Sequence, residues 1–188
     1  MAKKLDAFER LVEALEGLPS IGKKSAIRLA YHMTIVDGFG AMKLSHAIEH
    51  ALSIIRTCKK CHNISEDELC AICSDPIRDR SKLCIVQSAK DIMSIEESGE
   101  YHGLYYIINR LEYLDDRHLK GTVEGIEEVI FAFSPSIATD TMMLYIEDRL
   151  RDHPLRFTKI AQGVPIGVEL ENIDKISLSR ALNARIEL

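Results

Sequence analysis

The stretch CKKCHNISEDELCAIC, residues 58–73, holds four of the chain's five cysteines as two C-x-x-C pairs separated by eight residues. A two-residue gap lets both sulfurs of one turn face a single ion, and two such turns supply four tetrahedral thiolates. The intervening residues 63–69, NISEDEL, are polar and acidic. They are too few to fold by themselves, so a bound metal has to hold them. Cys58, Cys61, Cys70 and Cys73 are therefore candidate ligands of a zinc ion, with a redox pair or uncommitted thiols as the alternatives. His62 is a poorer substitute ligand because it adjoins Cys61. With all four donors cysteine, no position stays open for a substrate, and the site reads as structural rather than catalytic. The fifth cysteine, Cys84, opens the apolar run CIV and reads as a buried strand residue.

A zinc reading presumes reduced thiols, and the rest of the chain is consistent with that. In 188 residues, 46% are hydrophobic and 28% charged, the make-up of an ordinary globular protein with room for one large domain or two small ones. The opening MAKKLDAFER has no apolar leader, and no run approaches the roughly 18 apolar residues of a membrane span. The expectation is a cytoplasmic protein with no membrane partner. The net charge of −5 is unevenly spread. Residues 1–60 carry ten Lys/Arg against six Asp/Glu, and the remainder fourteen against twenty-three. A basic head on an acidic body directs any polyanion to the head.

Upstream of the cysteines, Leu5, Phe8, Leu11, Val12 and Leu15 mark a helix over residues 5–16. GLPSIGKK breaks it at Gly17, Pro19 and Gly22, a new helix starts in KKSAIRLAYHM, and a third covers 42–56. Residues 17–24 lie one position from the phosphate loop G-x-x-x-x-G-K-[ST], but the match fails. That loop follows a strand and ends on a hydroxyl for magnesium; this one follows a helix and ends on Lys24. Helix–hairpin–helix is the better reading, with a plain helical turn bearing solvated lysines as the bland one. The tight turn brings backbone N–H groups and the second helix's N-terminus to the surface, where a phosphate is favoured. Lys24 and Arg28 lie four apart on that helix with Lys23 beside them, so all three are candidate DNA-backbone contacts that read no base sequence.

Downstream, strands are expected at 83–86, 104–108, 129–133 and 157–161, and helices at 91–97 and 139–151. Strands alternating with helices predict a mainly parallel sheet covered on both faces. The tail SLSRALNARIEL reads as a short helix and a final strand. Strand ends of such a sheet are where acids would hold magnesium for phosphoryl transfer. Here LCIV is followed by the neutral Gln87, and Asp140 has Ala138, not a second acid, two positions before it. One acid cannot assemble a two-metal site, so Asp140 is expected to cap or solvate a helix start. The segment 160–174, with Gly163, Pro165 and Gly167 followed by Glu169, Glu171 and Asp174, is either a solvated turn or a binding site.

Four pieces in order, LPSIGKKSA, C-x2-C-x8-C-x2-C, CIVQSAKDI and AQGVPIGVELE, make the chain resemble, nearly end to end, the RecR family of bacterial recombination mediators. The resemblance implies an α/β multidomain architecture: helix–hairpin–helix region 1–56, four-cysteine zinc finger 57–80, Toprim-like domain 81–172 and C-terminal oligomerisation segment 173–188. It implies a non-enzymatic, DNA-binding clamp in DNA repair, a homotetrameric ring joined through N-terminal regions at one interface and C-terminal regions at the other. Single- and double-stranded DNA, RecO and RecF are the implied partners, and helping RecA displace single-strand-binding protein is the implied task. Lys24 and Arg28 fall on the family's DNA-contacting hairpin, and Cys58, Cys61, Cys70 and Cys73 on its ligands for structural Zn2+. Ser20 stands at the hairpin's first glycine, Gln87 at the Toprim glutamate and Ala138 at a further acid. The 109–128 span is short for the family, so a helix on one face of the sheet is expected to be trimmed or missing. The rival readings are a Toprim metal-dependent nuclease or topoisomerase-like enzyme and a zinc-stabilised interaction scaffold.

Overall fold

A computed structural model describes residues 6–161 and 167–183. The chain divides into two compact units, Met1–Ile55 and Arg56–Leu188. Gly163 and Pro165 of the turn-rich segment, and the strand expected at the extreme C-terminus, lie outside the described residues.

The first unit is helical: α1 (Asp6–Glu16), α2 (Lys23–Tyr31), one π turn (His32–Val36) and α3 (Gly38–Ile54). Val12 is buried against Ala26 and Ala30, with Phe8, Leu11, Leu15 and Ile21 packed around them. Both alanines are fully buried, and their small side chains on one face of α2 let the two helices approach closely. Thr34 Oγ1 donates to the Ala30 carbonyl at 2.8 Å inside the π turn, a side-chain insertion into the helix ladder of the kind that accompanies such irregularities. Asp37 then restarts the helix, its Oδ1 accepting from Gly40 N at 2.8 Å. The sequence reading began this helix at Met42. It begins four residues earlier because the aspartate cap makes two glycines helical. No residue of α3 is buried.

The second unit opens with β1 (Arg56–Thr57) and β2 (Ile64–Ser65), an antiparallel pair, and the short α4 (Ala71–Ser74). Then come β3 (Asp79–Val86), α5 (Ala89–Ser98), β4 (Gly103–Ile107), a 3-10 turn (Leu111–Tyr113), α6 (Asp116–Thr122), β5 (Glu128–Phe131), α7 (Ile137–Leu150) and β6 (Arg156–Lys159). A further 3-10 turn (Leu170–Asn172) leads to α8 (Lys175–Asn183). The four longer strands form one all-parallel sheet in the order β4-β3-β5-β6. Alternate residues serve opposite faces. Leu83, Ile85, Leu104, Tyr106, Val129 and Phe131 join Leu119 of α6 and Met142, Ile146 and Leu150 of α7 in the main core. Cys84, Val86 and Tyr105 face Ile92 of α5 on the other side. Near-continuous apolar strands are what two covered faces require.

Helix starts are set by capping boxes: Ser88 with Asp91 for α5, and Ser136 with Thr139 for α7. Of the two roles expected of Asp140, capping or solvating a helix start, it takes the second: Ser136 is the cap, and Asp140 sits exposed in the first turn of α7. The short 109–128 span retains a helix, seven-residue α6, capped by Asp115. β3 begins four residues before the apolar run suggested, since Asp79 also pairs with Gly103. Arg78, its side chain 13% exposed, joins Glu96 of α5, which also accepts from Tyr105 Oη at 2.7 Å. That network fastens α5 to the sheet's entry. No helix among the described residues is long and apolar enough to cross a membrane.

Candidate zinc centre and nucleic-acid interface

The four cysteines predicted as ligands converge. One ligand atom from each of Cys58, Cys61, Cys70 and Cys73 lies within 4.8 Å of the others, and all four residues are buried. Two turns build this cluster. In the first, His62 N donates to the Cys58 carbonyl at 3.0 Å and Cys58 N to the Asn63 carbonyl at 2.7 Å. His62 takes φ 64°, the left-handed conformation that closes the turn. In the second, Cys70 N donates to Cys58 Sγ at 3.3 Å and Ser74 N to the Cys70 carbonyl at 3.0 Å. The loop between them is anchored by the β1–β2 pairing and by Lys59 N donating to the Glu68 carbonyl at 2.9 Å. Ile72, between the last two cysteines, packs on both the sulfur cluster and the α5 side of the sheet.

Without a cation, four thiolates cannot coexist here. The Cys61 thiol is held above the ordinary range by its hydrogen bond to Cys73 and by burial, and burial also raises Cys70. Cys73, accepting from Cys61, falls to about 6. Sulfurs this close and this buried ionise together only when a divalent ion balances them. The donor set is soft, closed and four-membered, which fits tetrahedral Zn2+ in a structural role. His62 is not among the ligands. Its ring stacks on His118 at 4.9 Å and 21° and meets Tyr106 at 4.9 Å. Cys84 lies apart in β3, 3% exposed, and burial pushes its thiol up to about 12, so it is an inert core residue.

In the first unit, α1 ends at Glu16, and Ile21 N donates to the Leu18 carbonyl at 3.2 Å across the turn. Ser20 adopts φ 66°, so the elbow keeps the glycine-type geometry despite the serine. α2 begins after Gly22, whose position supplies no side-chain cap, and its first turn holds no acid. Its leading amides are thus not satisfied by a cap, and the positive end of the helix dipole is not neutralised by a nearby acid. Lys23, Lys24 and Arg28 are all exposed beside it and make no ion pair among the described residues. The opposite face of α2 carries the buried Ala26 and Ala30.

At the carboxyl ends of the strands, where β3 and β5 part company in connectivity, a cleft of about 530 Å³ is lined by Gln87, Asn109, Arg110, Glu112, Ser134 and Ala138, among others. Open α/β sheets place ligands at this switch point. Gln87 and Ala138 bring an amide and a methyl group to this cleft, and Glu112 is the one acid among its lining residues.

Sequence reasoning missed the π turn, His118 and Tyr106. Thr34 and the aromatic–histidine pair belong to no short motif, and only the fold brings Lys59, His62, Tyr106 and His118 together.

Known proteins match along the whole chain. Residues 8–52 match the model described as RecR, helix-hairpin-helix, and residues 55–75 match that of the RecR four-cysteine zinc finger domain. Residues 81–161 match the Toprim domain and 163–186 RecR, C-terminal. A recombination protein RecR from a Nitratiruptor strain is 57% identical, with 100% of both chains covered. Those of Helicobacter pylori and Campylobacter jejuni are each 48% identical, covering 97% and 100% of this chain and 96% and 100% of theirs. With a helical elbow, a four-cysteine zinc finger and a parallel Toprim sheet following one another along the sequence, and relatives of such identity from end to end, the chain belongs to the RecR family of recombination proteins.

Proposed function

We propose that the protein is a non-enzymatic DNA-binding mediator that grips nucleic-acid backbones at its helical elbow. The observation that carries this reading is the uncapped, acid-free start of α2 with Lys23, Lys24 and Arg28 exposed and unspent beside it. Backbone amides and cations hold phosphates without reading bases, so affinity for single- and double-stranded DNA is sequence-independent and salt-sensitive. The bulk of the charge elsewhere is negative, which leaves the elbow as the place for a polyanion.

The division of labour follows the family: residues 1–56 grip, 57–80 form a zinc-held knob, 81–172 are scaffold and 173–188 serve oligomerisation. α3 supports an N-terminal interface between copies. Its 17 residues include none that is buried, and Phe39 and Leu52 are 82% and 80% exposed. Such apolar area on a helix is covered in an assembly. A tetrameric ring would gather several weak phosphate sites, and effective concentration then replaces one tight contact. In that form the protein works with RecO or RecF to bring RecA onto DNA coated with single-strand-binding protein. The enzyme reading is disfavoured by Gln87 and Ala138, since two-metal phosphoryl transfer needs carboxylates that the cleft lacks.

The test is a salt titration of DNA affinity. Log affinity should fall linearly with log salt, by about 0.7 per phosphate on single strands and 0.9 on duplex. A flat response removes the phosphate-grip mechanism, and magnesium-dependent cleavage of the DNA revives the enzyme reading.

A further inference from the structure

Among the described residues the sheet order leaves β4 at an edge, and an open edge is a template for pairing with a foreign chain. Successive amides at the end of β4 point to opposite sides. Ile108 N donates inward, to the Val86 carbonyl of β3 at 2.8 Å. Ile107 N donates outward, to the Cys61 carbonyl of the zinc finger at 2.9 Å. A second tie comes from α6. His118 Nε2 lies 2.7 Å from the Lys59 carbonyl, and His118 Nδ1 lies 2.9 Å from Tyr106 Oη. A carbonyl only accepts, so Nε2 carries a proton and donates it to Lys59; in the neutral imidazole Nδ1 then accepts from the tyrosine hydroxyl. Burial pushes Tyr106 up to about 12, so that hydroxyl keeps its proton to donate. The His62 ring stacked on His118 fixes the imidazole plane.

We infer that His118 is a positioning residue of the zinc centre, and that the metal-closed finger guards the sheet's open edge. Lys59 and Cys61 sit within the first C-x-x-C turn, and the carbonyls of both are held by donors from the sheet domain. Those two bonds set the path of the main chain between Cys58 and Cys61, so the sulfurs stand ready before the ion arrives. The arrangement works in both directions. Removing the ion loosens the turn, and with it the cover over Ile107; cutting the His118 bond loosens the turn, and with it the grip on the ion. Groups that orient metal ligands typically change metal affinity about 10- to 100-fold when removed.

The experiment uses the full-length protein and zinc itself. Zinc affinity is measured by competition with a chromogenic chelator for the unaltered chain, His118→Ala, His118→Gln and Tyr106→Phe. His118→Ala is expected to bind zinc about 10- to 100-fold more weakly at unchanged helical circular dichroism. His118→Gln, whose amide can donate to Lys59 and accept from Tyr106, should regain most of that loss, and Tyr106→Phe should show a smaller one. In the unaltered chain, read by NMR hydrogen exchange, stripping the zinc should speed exchange of the Ile107 amide while the Ile108 amide stays protected. The inference is overturned if His118→Ala binds zinc within twofold of the unaltered chain, if glutamine restores nothing, or if Ile107 exchange ignores the metal. If His118→Ala fails to fold, His118→Gln and Tyr106→Phe still test the histidine, and the exchange measurement, which needs no variant, still tests the finger's cover over Ile107.

Discussion

Zinc must evict protons to enter the four-cysteine cluster, and the structure sets a minimum number. Cys61 and Cys70 are both held above the ordinary thiol range, by a hydrogen bond to Cys73 plus burial in the first case and by burial in the second. At neutral pH both carry protons that coordination removes. Cys73, lowered to about 6, is the thiol already ionised. Lowering the pH refills the thiols and opposes the metal, so apparent affinity rises with pH. Two protons displaced give a slope of two in log affinity, or about 2.7 kcal/mol per pH unit at about 1.36 kcal/mol for each proton. Competition with a chelator of known protonation between about pH 6.5 and 8 measures the slope, since this window lies below the usual thiol range. Calorimetry in buffers of different ionisation enthalpy counts the protons directly. A slope of one or less would refute the reasoning, because it would mean that Cys61 or Cys70 is already a thiolate before the ion binds.

Ser20→Gly should stabilise the protein by about 0.5–1 kcal/mol, since a non-glycine residue at φ 66° bears a cost that glycine does not, partly offset by glycine's greater unfolded freedom; the chemical-denaturation midpoint checks it, and no change would mean the turn is unstrained. Glu96→Gln should cost about 2 kcal/mol near neutral pH by weakening the charged hydrogen bonds to Arg78. Glu96 is held below the ordinary carboxylate range by its hydrogen bond from Arg78, so its stabilisation is present above that range and lost as pH falls through the depressed value. Denaturation midpoints of the two proteins should therefore converge in acid. Phe39→Asp combined with Leu52→Asp should lower the oligomer mass seen by light scattering without altering helix content, since both side chains are about four-fifths exposed in the single chain.

Periodicity carried most of the fold. Short apolar runs set between helical segments marked the four parallel strands, and the i, i+3, i+4 stripe of Phe8, Leu11, Val12 and Leu15 marked α1, because burial against Ala26 and Ala30 demands that spacing. Boundaries were less legible where a cap or a pairing partner decides them. Asp37 brings Gly38 and Gly40 into α3 against their propensities, and Asp79 enters β3 through its pairing with Gly103. The sulfur cluster was legible because ligand spacing is local. The Lys59–His118–Tyr106 tie was not, because its members lie up to 59 residues apart and carry no shared pattern.

The account stands or falls on whether the elbow is the grip. The deciding measurement is DNA affinity of Lys24→Glu plus Arg28→Glu beside the unaltered protein, across a range of salt, with oligomer mass and circular dichroism monitored. Both side chains are exposed and unpaired among the described residues, so the fold and the assembly should persist while DNA binding is lost or falls steeply and its salt dependence flattens. Undiminished binding with the usual salt slope, in a folded double variant, would contradict the account and move the DNA to another surface.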